Sequence, residues 1–211
     1  MGRTDEPTGP IVSALRPIDF ADLPADLHDA LEPRVERLGY LGDFFGYMAH
    51  QPAALLRFDQ FTEEAKRALG PGPSEVVALT AATRLDNDYE RHQHERLAVN
   101  LGFTREWVAA VERLAPGEAP TPLDAAELAI QHFVLASIES LVPPRADSPG
   151  NVAADALNRV VEVAGAATAA GVALLTARFV GHALVSRACA LRPPVPSVFA
   201  DHPQAVVDAS A

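Results

Sequence analysis

The chain has a single cysteine, Cys189, in 211 residues. No internal disulfide can form, which fits a reducing compartment and makes the cytoplasm the expected location. Aromatic residues are also sparse, at 6% against 48% hydrophobic residues, so a core must be built mainly from Ala, Leu and Val. Positive charge is short: 17 Lys and Arg stand against 28 Asp and Glu, for a net charge of −11. That balance argues against a nucleic-acid binder, which needs a basic face, and against adhesion to anionic lipid. No apolar run reaches the roughly 18–20 residues of a membrane span. The nearest, Val160–Leu175, is interrupted by Glu162 and reads as a tightly packed core helix. Met1–Pro10 is polar and lacks an apolar signal region, so export is not expected. Period-two alternation of useful length is absent as well.

What is abundant is helix-forming sequence. Ala and Leu have the strongest helix propensities, and the length suits one helical domain able to bury a core without disulfides. Five prolines between Pro7 and Pro33 defeat a long helix, so residues 1–33 are expected to be an extended arm with a short turn near Ala25–Leu31. Residues 34–194 carry the helical patterning, and 195–211 read as a tail. Within the domain, helices are expected over Pro52–Leu69, from Ser74 toward Asn100, and over Arg105–Leu114 and Pro122–Ser140. Two more follow at Val152–Ala164 and Gly171–Leu191, with a proline-rich loop at 142–150.

Ser74–Gly102 is the informative stretch. At about 100° per residue, Asn87, Glu90 and His94 fall within an arc of roughly 60°, and a continuous helix would bring Glu75 to the same side. Leu79, Leu97 and Leu101 share that face, so these polar groups sit where desolvation is costly unless they pair or work. A Glu–His pair four residues apart orients an imidazole and raises its basicity, and a second carboxylate can pass a proton: the outline of a general acid/base site. The bland alternative is an ordinary surface pair on a solvated helix. His50, His132, His182 and Trp107 read as packing or helix-start residues, and Arg34, Arg37, Lys66 and Arg67 as solvated faces. Cys189 reads as a buried small apolar residue. Glu75, Glu90 and His94 could in principle ligate a metal.

The string Asn87-Asp88-Tyr89-Glu90-Arg91-His92-Gln93-His94, followed by Ala98 and Gly102-Phe103, resembles the signature helix of the carboxymuconolactone decarboxylase and alkylhydroperoxidase D-like (AhpD-like) family. His50-Gln51-Pro52 resembles the start of an earlier family helix, and Val160–Leu191 its final helix pair. The resemblance implies an all-α, AhpD-like helical bundle. In the peroxidase branch, a glutamate precedes a Cys-x-x-Cys pair by twelve residues and a histidine follows it by four. Glu75 and His94 match the outer two positions, whereas Asn87 and Glu90 occupy the cysteine positions. Thiol peroxidase chemistry needs both thiols and is not expected.

The decarboxylase branch implies proton transfer on a small oxygenated substrate such as a lactone or keto acid, without metal or organic cofactor. His94 would then carry the proton, with Glu90 and Glu75 as its carboxylates. Asn87, Tyr89 and His50 are expected to contact the substrate. The resemblance further implies a homo-oligomer, a trimer or a multiple of trimers. A non-catalytic, ligand-binding family member is the competing reading.

Overall fold

The structure, a computed structural model, describes residues 14–141 and 151–200. Among them are nine α-helices and no strand: α1 Ala25–Leu38, α2 Asp43–Met48, α3 Pro52–Leu69, α4 Pro71–Arg84, α5 Asp88–Asn100, α6 Arg105–Glu112, α7 Ala125–Glu139, α8 Val152–Ala164 and α9 Ala166–Ala188. The expected all-α class holds. The loop expected at 142–150, residues 1–13 and the tail beyond Ala200 lie outside the described residues.

α4 is the central rod. Every residue from Ser74 to Ala82 is buried, as for a helix surrounded by others on all sides. Small side chains at Ala78, Ala81 and Ala82 let α7, α5 and α9 approach it closely. The main core gathers Val76, Val77 and Leu79 with Val108, Val111, Ile130, Val134, Val160, Val172, Leu175 and Phe179. A second cluster joins Leu27 and Leu31 of α1 to Phe44, Phe45, Leu55 and Tyr89.

Three expectations are corrected. The short turn expected near Ala25–Leu31 is a full helix: α1 runs on through Pro33 to Leu38 and buries Leu27 and Leu31. Pro33 is tolerated because it sits well along a helix held by tertiary packing, where burial outweighs one lost backbone bond. The helix beginning at Gly171 starts instead at Ala166, and only Gly165, with φ +87°, separates it from α8. That left-handed conformation is open to glycine at little steric cost. Third, Ser74–Asn100 is not one helix. It breaks at Leu85–Asn87, where Asp86 takes φ +50°. Asp and Asn tolerate such a conformation through local side-chain hydrogen bonding, so the Asp86-Asn87 pair is where the chain can turn.

Candidate functional site

The break between α4 and α5 makes the site. On one continuous helix, the nineteen residues from Glu75 to His94 would separate them by about 28 Å. With the chain folded back, Glu75 Oε2 stands 2.6 Å from His94 Nδ1. Glu90, one turn before His94 on α5, places its Oε2 3.7 Å from His94 Nε2. The imidazole thus lies between two carboxylates, and all three side chains are buried.

α9 completes the group. Arg178 Nη1 donates to Glu90 Oε2 at 2.7 Å, and its Nε donates to Thr62 Oγ1 at 3.3 Å. His182, one turn further on, holds Nε2 3.4 Å from Glu90 Oε1. Its Nδ1 lies 3.1 Å from Ser186 Oγ, and its ring stacks on Phe44 with centroids 3.9 Å apart. With a carboxylate at Nε2, the consistent tautomer carries its proton on Nε2 and accepts from Ser186. The Phe179 ring packs against the edge of His94 at 5.1 Å and under the Arg178 guanidinium at 4.4 Å.

The charge states follow from these neighbours. Burial alone would raise the Glu90 pKa, but His182, Arg178 and His94 outweigh it and hold the carboxyl well below its ordinary range. The bidentate-capable Arg178 is the permanent cation among them and anchors the ionised state. Burial would lower His94, yet the Glu75 charge, its hydrogen bond to Nδ1 and the nearby Glu90 carboxylate prevail, and its pKa is raised. His182 goes the other way: burial, reinforced by Arg178 and His94 against the pull of Glu90, lowers it to about 3. Burial thus favours the neutral form of His182, whereas the neighbouring carboxylates favour the charged form of His94.

These groups open onto a cavity of about 620 Å³. Glu75, Glu90, His94, Tyr89, Arg178 and His182 line it, with Phe45, Leu97 and Leu101 as apolar wall. The Tyr89 hydroxyl accepts from the Phe44 backbone N–H at 3.1 Å, and a Cβ at Gly42 would approach its oxygen to 2.8 Å. Glycine at position 42 is what leaves the hydroxyl its place.

Of the residues singled out in the sequence, Glu75, Glu90, His94 and Tyr89 come together. Asn87 does not line the cavity: it is the N-cap of α5, buried on the far side of the turn beside Ser186 and Arg187. Nor does His50, which is exposed, with Nε2 2.8 Å from the Arg16 carbonyl oxygen. Arg178, His182 and Lys66 were not read as site residues. Their signal was present for the first two: Arg178 and His182, four apart on one face, interrupt an otherwise apolar helix. α9 is long and apolar enough to cross a membrane by composition, but it turns those two side chains into the protein core. Among the described residues no group of three His, Cys, Asp or Glu is arranged for a metal ion, and the Arg178 guanidinium already occupies Glu90.

No family model matches the chain, and no curated protein matches it. Solved structures do. A variant of the debrominase Bmp8 in complex with 2,3,4-tribromopyrrole aligns over 85% of this chain and 91% of its own, with a TM-score of 0.69 at 15% identity. The core of AhpD, an uncharacterized peroxidase-related protein from Ralstonia eutropha JMP134, aligns over the same shares with a TM-score of 0.60 at 14% identity. The chain has the AhpD-like fold. Within that AhpD-like frame, the glutamate and histidine expected from the sequence meet across α4 and α5, and α9 brings the arginine that neutralises Glu90.

Proposed function

We propose that this protein is a carboxymuconolactone decarboxylase-like acid/base enzyme that acts on a small oxygenated molecule such as a lactone or keto acid without an organic cofactor or metal. The observation that carries the reading is the Glu75–His94–Glu90 row, closed by Arg178, at the wall of a half-open cavity. Glu75 takes the Nδ1–H and fixes the imidazole's tautomer and orientation. Nε2 is then the proton-transferring atom. Its proton stays available to substrate because Glu90 is satisfied by Arg178 and lies 3.7 Å away. An imidazolium with a raised pKa acts first as an acid toward a substrate oxygen or carbon, and the neutral form it leaves can take a proton back. Tyr89 offers a hydroxyl at the same wall.

The proposed roles of the two carboxylates differ from the expectation in the sequence, where Glu90 was the orienting partner; the 2.6 Å contact favours Glu75. A thiol peroxide cycle lacks its second thiol, since Cys189 is the chain's one cysteine. We place the enzyme in the cytoplasm on the same ground, and as a homo-oligomer, a trimer or multiple of trimers. Leu174 and Leu184, more than half exposed on α9, support the second point.

The test is turnover of a panel of lactones, keto acids and, given the debrominase likeness, halogenated aromatic rings. His94→Gln is expected to lose about 10²–10⁴-fold in rate, the usual contribution of one proton-transfer group. Ligand binding with no turnover, unaffected by His94→Ala, would favour a non-catalytic binding protein instead.

A further inference from the structure

Of the chain's 17 Lys and Arg residues a single one, Lys66, is lysine; the other 16 are arginine. That lysine lies in the last turn of α3 and lines the cavity beside Glu75, Glu90, His94 and Arg178. Its Nζ is 6.0 Å from the centre of the Phe179 ring, the same ring that His94 meets edge-on and Arg178 covers. Three nitrogen-bearing side chains therefore surround one aromatic ring. Among the described residues no ion pair or side-chain hydrogen bond engages the Lys66 amine, although acidic groups are plentiful nearby. The exposed helix face expected from the sequence would place it in solvent with its neighbour Arg67; it is half-buried instead.

An arginine at this position would have served as a counter-charge equally well and would have formed forked hydrogen bonds to Glu75 or Glu90. What lysine alone offers is an amine that can lose its proton and attack a carbonyl carbon. We propose that Lys66 is a nucleophile that forms an imine with the ketone or aldehyde carbon of the substrate, and that the substrate class is a small β-keto carboxylate. The proposal rests on the acid/base reading of His94, which supplies the protons.

The steps balance without an oxidant or reductant. The neutral Lys66 amine attacks the ketone carbon, a C–N bond forms, and the former carbonyl oxygen leaves as water after taking a proton from the His94 imidazolium and one from the nitrogen. The product is a protonated imine. The bond from the α-carbon to the carboxylate breaks, carbon dioxide leaves, and the electron pair moves toward the iminium nitrogen to give an enamine. Protonation of the enamine carbon, again through His94 and ultimately from solvent, restores the iminium. Water then releases the ketone and the free lysine. Burial lowers the Lys66 pKa, Arg178 pushes the same way, and Glu75, Glu90 and Glu63 oppose both without reversing the shift. A larger share of the free amine at neutral pH follows.

The sole-lysine composition makes the test clean, because the α-amino group is the one other aliphatic amine. The 211-residue chain is incubated at neutral pH with acetoacetate, reduced with borohydride, and mapped by peptide mass. We expect one adduct per chain, on Lys66, at least tenfold faster than on the α-amino group, and none at position 66 in Lys66→Arg, which keeps the charge. Acetoacetate decarboxylation is expected to fall at least 100-fold in the same variant while circular dichroism is unchanged. No adduct on Lys66, or labelling no faster than at the terminus, overturns the proposal, and with a raised His94 pKa it leaves the acid/base reading standing. In His94→Gln the adduct on Lys66 should still form, but more slowly. An unchanged rate there would uphold Lys66 and remove His94 from the reaction.

Discussion

Helix α5 carries buried glutamates on two sides, and the protein treats them in opposite ways. Toward the cavity, Glu90 is ionised and answered by Arg178, His94 and His182. Toward the back, Glu95 is completely buried, and its nearest charged neighbour on the same helix, Arg91, reaches only 3.9 Å. One of its oxygens, Oε2, accepts from Ser197 Oγ at 2.6 Å and the Val198 backbone N–H at 2.8 Å. The other, Oε1, has no hydrogen-bond partner among the fixed donors, and neither has Oε1 of Glu112. One proton shared between the two carboxyls accounts for both atoms. Burial first and the Glu95 charge second raise Glu112 to about 8.

The lesson is that a buried carboxylate can be stabilised by a cation or by a proton, and the choice decides its use. The cation-answered side leaves His94 at the cavity wall beside a Glu90 that Arg178 satisfies. The proton-sharing side ties the segment at Pro196–Phe199 to the helix, helped by Arg96 Nε donating to the Pro196 carbonyl at 3.3 Å and by His92 Nδ1 3.2 Å from the Val195 carbonyl oxygen. It acts as a fixed backing for the helix that presents Glu90 and His94.

Removing the cation should have the largest effect. Arg178→Met leaves Glu90 buried without its partner and is expected to destabilise the fold by about 3–5 kcal/mol, the usual result of orphaning one member of a buried pair. Urea unfolding at pH 7 measures it, and the loss should shrink on acidification as Glu90 takes up a proton. A loss under 1 kcal/mol would mean that the two sides of α5 are not distinguished by their counter-charge.

A smaller effect, of opposite sign, is expected at the back. The folded state holds the Glu112 proton up to about pH 8, whereas an unfolded glutamate releases it near 4.3. Stability from this group is therefore complete below about pH 4 and is lost as pH rises through about 8. Glu112→Gln keeps a donor facing Glu95 without a titrating proton. Allowing for the partial exposure of Glu112, the variant should match the parent near pH 4 and exceed it by roughly 1–2 kcal/mol at pH 8–9. Parallel stability curves for the two proteins across that range would contradict a shared proton. Smallest is Ser197→Ala, which removes one acceptor contact of Glu95. About 1–2 kcal/mol is expected, read as a lower unfolding midpoint and faster amide exchange at Val198.

Much of the fold was legible because its signals are local. Pro52 at the first turn and Gly70 at the end delimit α3, and α8 begins at Val152 and ends at Ala164 as its pattern indicates. The full length of α1 is hidden in the sequence because its proline spacing disfavours helix, while the burial of Leu27 and Leu31 that offsets it is a tertiary effect. At the site, Glu90 and His94 were readable from i,i+4 spacing on one helix. Glu75 follows from the family spacing and from continuous-helix geometry, yet it reaches His94 through the turn at Asp86. Arg178, His182 and Lys66 come from α9 and α3, far away in sequence, and one-dimensional periodicity cannot bring them to α5. Asn87 and His50 show the converse, since matching a family position did not bring either side chain to the cavity.

The central claim is that His94 is a buried imidazolium held between Glu75 and Glu90, and its pH titration by NMR tests this most directly. In the parent protein the pKa should lie above the ordinary value of about 6.5, and in Glu75→Gln it should fall, because burial then acts with its main opposing charge removed. A His94 that titrates near 6.5 and is indifferent to Glu75→Gln would contradict the account.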